Sequence, residues 1–405
     1  MENNLIAKKL NDTVSLYKVD KKHGGLRFYY GDYVDQITKI LSEICPCGKV
    51  ATLYFNSTYQ ELGKNFSSAL KNAGFKPLSV IMPEEFKNSV DDLSRLFTLP
   101  EDVRAIITFD FSLNYAIKYF GAIKNVDVIH VLKEFNSADF ISPVLFIKNG
   151  EQIDKVNLDC NQHVILDDNI CQPDLPKIYA YTTSKIVNLI DYKVYGKLHS
   201  KRLSKASYEV LSTAIDNTLT CFKVSLENRK SHIVENMFLS EIANRMSGGH
   251  LWITSSEYSV KQLMPKFEGY DRIAFLKYTL NLYKKYFSGD YEHLLEIPDY
   301  NARANNISKT LKVDEKVFMQ TLLAQINNYN NSKNNLNQLK KTLNEQVVKT
   351  EKLVGQINST YHALGGGGKE NKHLKFCVYH SGDLNDTLNG MSLIRESGIL
   401  EFIEV

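Results

Sequence analysis

Short apolar runs alternate with amphipathic helices through the first half of the chain, and then the alternation stops. Val50 to Phe55 reads as a buried strand. Asn56-Ser57-Thr58 follows, with side chains suited to cap a helix start, and the helix runs from about Tyr59 to Ala73 before Gly74 ends it. Leu78 to Met82, Val103 to Thr108 and Val126 to Leu132 read as further strands, with a helix from Ser112 to about Phe120 and Gly121. Strand–helix–strand alternation implies a parallel sheet covered by helices on both faces. A mixed α+β sheet is the alternative on this pattern.

After the fourth strand the pattern changes. Pro143 to Ile147 and Gln152 to Val156 flank Lys148-Asn149-Gly150-Glu151, which predicts a β-hairpin with a glycine turn. Val164 to Leu166 is a last short strand, ending in Asp167-Asp168. Beyond Pro176 the chain reads as helical, with segments at Ser184 to Leu198, Ser207 to Asn228 and Arg272 to Phe287. In the last of these, Ile273, Leu276, Leu280, Tyr283 and Phe287 form one apolar stripe. Leu336, Leu339, Leu343, Val347, Thr350, Val354 and Ile357 recur at spacings of three and four. Such a stripe suits either a coiled-coil arm or a helix lying on its own domain, and barely three heptads favour the second. Gly365 to Gly368 reads as a linker, since no strand precedes it and no Lys-Ser/Thr follows in phosphate-loop register.

A length of 405 residues suits two domains. The net charge of +3 argues against a dedicated nucleic-acid binder, which needs clustered excess Lys and Arg. No apolar run approaches the roughly 18–20 residues of a membrane span. Met-Glu-Asn-Asn at the start lacks a signal-peptide pattern, so a cytoplasmic location is expected. Of six cysteines only Cys45 and Cys47 are close, and C-x-C without a second pair predicts ordinary reduced thiols.

Four segments, in order, carry a resemblance. They are Tyr54-Phe55-Asn56-Ser57-Thr58-Tyr59, Ser137-Ala138-Asp139-Phe140-Ile141-Ser142-Pro143, Leu166-Asp167-Asp168-Asn169-Ile170, and Ser184-Lys185 with Asp191-Tyr192-Lys193 six residues on. Over roughly residues 26 to 405 the chain resembles the dehydroquinate synthase-like superfamily, which includes iron-containing alcohol dehydrogenases and glycerol dehydrogenases. Its nearest likeness is to the sn-glycerol-1-phosphate dehydrogenases. The resemblance implies an α/β N-terminal domain over 1–178, with a Rossmann-like parallel sheet and a β-hairpin. An all-α domain over 179–405 follows, and a cleft between the two is the expected ligand site.

The same resemblance implies two sites, and both depart from its pattern. A glycine turn after the third strand would approach the cofactor pyrophosphate. Here that turn reads Thr108-Phe109-Asp110-Phe111-Ser112: two rings stand in the expected phosphate space, unless they pack the sheet edge, and a carboxylate opposes phosphate charge. Ser112 in the turn, Lys118 on the next helix (unless simply solvated) and Lys185 are the residues left for a cofactor or phosphate. One Asp and two His would hold a divalent ion that polarises the substrate hydroxyl. Their counterparts are Tyr181, Tyr258 and Gly269. Tyrosinate can ligate iron, and a shifted register would recruit His250 or Glu268, but no metal ligand is assigned.

Asp139 matches a position that faces substrate, where a carboxylate orients a hydroxyl; capping of the turn before Ser142-Pro143 is the other reading. The joint departure leads to the expectation of a catalytically degenerate, metal-free binding or scaffold protein with no required cofactor. Its expected partners are a small phosphorylated polyol and a second copy or an active paralogue. The alternative is an NAD(P)-linked oxidoreductase acting on a polyol phosphate through an altered site.

Overall fold

The computed structural model describes residues 2–19, 24–46, 48–86, 89–149, 152–199, 204–264, 266–289, 299–311, 314–382 and 389–397. The chain forms two compact units, residues 1–174 with 222–248, and residues 175–221 with 249–405.

The first unit is built on a sheet of six parallel strands. These are β1 (Leu26–Tyr30), β2 (Lys49–Tyr54), β3 (Lys76–Ile81), β4 (Val103–Thr108), β5 (Asp127–Val131) and, later in the chain, β9 (Gln162–Leu166). Between β5 and β9 come the short β6 (Glu134–Phe135) and the hairpin of β7 (Val144–Asn149) and β8 (Gln152–Asn157). The short β10 (Gln172–Pro173) pairs in parallel with β6. The sheet order is β1-β9-β5-β4-β2-β3. All its pairings are parallel, which removes the mixed-sheet alternative.

Period-two alternation sorts the strand residues onto two apolar faces. Ala105, Ile107 and Phe109 join Val50, Tyr54 and Ile129 on one face, beneath Ile37, Ile40 and Leu41 of the helix Tyr33–Ile44 and Phe66 and Leu70 of the helix Lys64–Asn72. Ile106, Ala51, Leu53 and Val128 line the other, beneath Ile117 and Phe120 of the helix Asn114–Lys124 and Leu145 and Ile147 of the hairpin. Gly121 permits that helix its approach: a Cβ there would lie 2.2 Å from Val128 Cγ2. The predicted hairpin is present, and its Gly150-Glu151 turn lies outside the described residues.

One expectation is corrected. The segment Ser207 to Asn228 is not one helix. The helix Lys205–Leu219 ends at Thr220, a 3-10 turn spans Cys221–Lys223, and a new helix begins at Leu226. By compactness, residues 222–248 group with the α/β unit. The helix Leu226–Met246 packs with the α/β unit although its composition reads as helical-domain sequence. Phe238 meets Phe28 edge-on at 5.1 Å, Arg245 donates to Ile141 O at 2.7 Å and Gly24 O at 3.2 Å, and Lys230 donates to Cys171 O at 3.2 Å.

Among its described residues the second unit's regular secondary structure is all helical. The apolar stripe of the helix Tyr270–Ser288 is buried, from Ile273 to Phe287. The long helix Glu315–Ala363 lies on its own unit rather than projecting as an arm. Leu339, Leu343, Val347, Thr350 and Ile357 are buried, while the side chain of Leu336 lies outside the described residues. Polar contacts fix its lie, with Glu351 accepting from Lys284 at 2.7 Å and Gln346 from Lys193 at 2.9 Å. Among the described residues no helix is long and apolar enough to cross a membrane.

Candidate functional site

In an open parallel sheet, ligands bind where neighbouring strands lead their chains in opposite directions. In the first unit that point lies at β2 and β4, because β2 pairs with β3 on one side and β4 on the other. The loops after β2 and β4 meet there, and a side chain of the protein joins them. Asp110 accepts from the Phe55 N–H at 2.8 Å and from Thr58 Oγ1 at 2.5 Å. Phe55 N-caps the short helix Asn56–Thr58. The carboxylate therefore ties the loop after β4 to the loop after β2, within the turn where the resemblance puts a pyrophosphate. Burial pushes its pKa up, and the bonds from Thr58 and Phe55 act against that shift.

The two rings of this turn leave the loop surface. Phe109 is buried in the sheet core, stacked on Tyr54 at 5.8 Å and edge-on to Phe66 at 5.1 Å and Tyr33 at 5.3 Å. Phe111 is half-buried, edge-on to Phe140 at 6.1 Å. Phe109 thus packs an interior strand, not the sheet edge, and the ring is not an obstacle in the turn. Asp110 alone occupies that role.

Ser112 is exposed on the 3-10 turn Phe111–Leu113. Lys118 is not solvated: it is fully buried and donates to the carbonyl of Ser142. Desolvation pushes its pKa down to about 8. Asp139 opens the buried 3-10 turn Asp139–Ile141, and its backbone carbonyl accepts from Ser142 N at 3.0 Å. The hydroxyl of Ser142 accepts from Val144 N at 3.2 Å and from Asn244 at 3.3 Å. The structure therefore brings Lys118 and Asp139 to one buried corner through Ser142, and leaves Ser112 outside it.

In the second unit, the three positions matched to metal ligands are occupied by packing. Tyr181 is fully buried on the helix Leu175–Ser184. Lys185, four residues on and so on the same face, donates to its hydroxyl at 2.8 Å and lies 4.1 Å from the ring centroid. Arg272, on the helix Tyr270–Ser288, places its guanidinium 4.9 Å from the same ring. Arg272 forms an ion pair with buried Glu257 and donates to Ser184 Oγ at 3.4 Å. Tyr258 is buried edge-on to Trp252 at 6.2 Å. Gly269 has φ 56 and ψ −123, a conformation suited to glycine, and a Cβ there would stand 3.1 Å from the Tyr361 hydroxyl. That hydroxyl donates to Gly367 O at 3.1 Å, so the four-glycine segment is pinned against this corner rather than serving as a loose linker.

A divalent ion does not fit this donor set. Two buried phenols and a glycine supply neither imidazole nor carboxylate, and two cations of the chain already converge on Tyr181. The shifted register fares no better. Exposed His250 stacks on Tyr195 at 6.1 Å, and Glu268 pairs with Lys177 at 3.3 Å. Among the described residues no three His, Cys, Asp or Glu side chains gather as a metal group.

Deeper in the second unit, Asp191 accepts from Ser256 N at 2.8 Å, Gly390 N at 2.8 Å and the Tyr283 hydroxyl at 2.5 Å. Burial pushes its pKa up to about 6 against those three bonds. The resemblance used Asp191 only as a frame residue; the structure makes it a junction of four helices.

The fold is dehydroquinate synthase-like, the architecture of the iron-containing alcohol dehydrogenases. An iron-containing alcohol dehydrogenase from Thermotoga maritima has 10% identity over 93% of this chain and 97% of its own, with a TM-score of 0.51. An archaeal halo-thermophilic alcohol dehydrogenase from a Red Sea brine pool has 12% identity over 92% of this chain and 96% of its own, at 0.50. A glycerol dehydrogenase from Schizosaccharomyces pombe has 14% identity over 85% and 92%, at 0.48. No family model and no curated protein matches the sequence.

Proposed function

We propose that this chain is a metal-independent binding protein built on the alcohol dehydrogenase fold, degenerate for hydride chemistry and directed to a small phosphorylated polyol. The observation that carries the reading is the environment of Tyr181. Where the resemblance puts a divalent cation, the chain packs the ammonium of Lys185 and the guanidinium of Arg272. The first unit supports it from the other sign of charge, since the Asp110 carboxylate stands in the turn where the resemblance puts a dinucleotide pyrophosphate. A carboxylate there repels pyrophosphate at short range. Such a protein could serve as a scaffold for a second copy or an active paralogue.

The alternative is an oxidoreductase that binds NAD(P) in an altered way, with Asp139 orienting the hydroxyl and Lys118 near it. It is favoured by the fold itself and by the shared corner of Lys118 and Asp139.

Elemental analysis of the purified protein, with NAD(P)H binding followed by fluorescence, separates the two. The binding-protein reading predicts substoichiometric divalent metal and no saturable NAD(P)H signal. Stoichiometric metal with micromolar NAD(P)H binding would overturn it.

A further inference from the structure

We propose that a cavity within the helical unit binds a small monocarboxylate with an apolar tail, its carboxylate held by Lys193. The cavity has a volume of about 440 Å³ and is lined by three helices of that unit, Ile186–Leu198, Lys205–Leu219 and Glu315–Ala363. It shares no lining residue with the positions matched to a cofactor or a metal, so it is a separate site. Polar contacts hold the long helix across the gap. Gln346 accepts from Lys193 at 2.9 Å, and Gln356 donates to Leu219 O at 3.3 Å.

The lining divides by polarity. Ile186, Leu189, Ile215 and Leu219 are buried and form an apolar wall, and half-buried Leu353 adds to it from the long helix. An alkyl tail laid on that wall leaves water together with the wall itself. Lys193 is half-buried on the same lining, and its ammonium also lies 5.0 Å from the centroid of the Tyr208 ring. Both of these partners, Gln346 and Tyr208, are neutral. Among the described residues no carboxylate pairs with Lys193, so its charge is uncompensated at the cavity wall. An ammonium has three donors, and Gln346 takes one. The others can reach a ligand carboxylate as charge-assisted bonds. Because Gln346 and Tyr208 already hold the ammonium, little side-chain freedom is lost on binding. Asp216 and Glu345 also line the cavity, but both are exposed and screened by solvent. Their sign disfavours a doubly charged head, which leaves a single carboxylate as the group that fits.

The test uses the full chain, with octanoate, decanoate, octan-1-ol and octylammonium as separate probes below their micelle thresholds. Titration calorimetry and thermal melting supply the readouts. Octanoate should bind one-to-one and raise Tm saturably, and octan-1-ol and octylammonium should bind at least tenfold more weakly. Decanoate should bind more tightly than octanoate, by up to about fourfold for each added CH2. Lys193→Met should weaken octanoate binding at least tenfold and leave octan-1-ol binding unchanged, while its circular dichroism matches wild type. Ser212→Trp, which sets a ring on the cavity wall, should abolish binding of both and carries the second arm. No saturable octanoate binding in wild type overturns the proposal. So does octan-1-ol or octylammonium binding as tight as octanoate, or wild-type octanoate affinity in either folded variant.

Discussion

Tyr181 shows what the sequence could and could not convey about the site at the scale of single residues. Lys185 follows it by four residues, but the sequence pattern begins a helix only at Ser184, so the contact between the two is not foreseen. Arg272, brought from a distant helix onto the same ring, had no local signal. Asp110 was legible as a charge opposed to phosphate, but its bonds to Phe55 and Thr58 depend on which loops the sheet order makes adjacent. Lys118 reads from the sequence as either a phosphate contact or a solvated lysine, since a lysine on an amphipathic helix is usually exposed, whereas its partner, the Ser142 carbonyl, is non-local. Asp191 yields a pH prediction. Its folded pKa of about 6 lies above the ordinary 3.8, so the native state holds the proton more tightly between those values. Stability therefore falls as pH rises from about 4 to about 6. Asp191→Asn removes that titration. In chemical unfolding, the stability difference between variant and wild type should change by ~3 kcal/mol across this window. A pH-independent difference would show that Asp191 does not titrate there. At Gly269, the positive φ and the nearby Tyr361 hydroxyl predict that Gly269→Ala destabilises by about 1–3 kcal/mol, read from the urea midpoint.

Individual elements were most legible where burial imposes a pattern. The strand β2 is buried on both faces and appeared as a continuous apolar run, and β4 and β5 are mostly buried despite Arg104 and His130 within them. Harder to see was β1, whose residues Leu26–Tyr30 alternate between buried and exposed and include Arg27. The break near Thr220 was missed because the residues around it, Leu219 to Lys223, carry no Gly or Pro. The long helix Glu315–Ala363 owes its place to packing rather than self-association. Leu343, fully buried within its unit, should cost about 2–5 kcal/mol when changed to Ala, with no change of oligomeric state by light scattering. Loss of an oligomer with little loss of stability would instead indicate an arm.

Across the whole molecule, strand order explains why architecture was readable and chemistry was not. The alternation of strands and helices implied a parallel sheet, and the order β1-β9-β5-β4-β2-β3 bears that out. The neighbours at 10% and 12% identity share this fold although almost nine residues in ten differ, so few of the fold's requirements are specific residue types. Site chemistry depends instead on a handful of positions. Here they hold an internal anion, Asp110, in one unit and internal cations, Lys185 and Arg272, in the other. The central claim is that these side chains stand in for the charges of a cofactor phosphate and a metal. The most direct measurement is native mass spectrometry of the intact protein after incubation with ferrous or zinc salts and NADPH. The account predicts the mass of the polypeptide without a specific metal or dinucleotide adduct. A one-to-one complex carrying both metal and dinucleotide would contradict it.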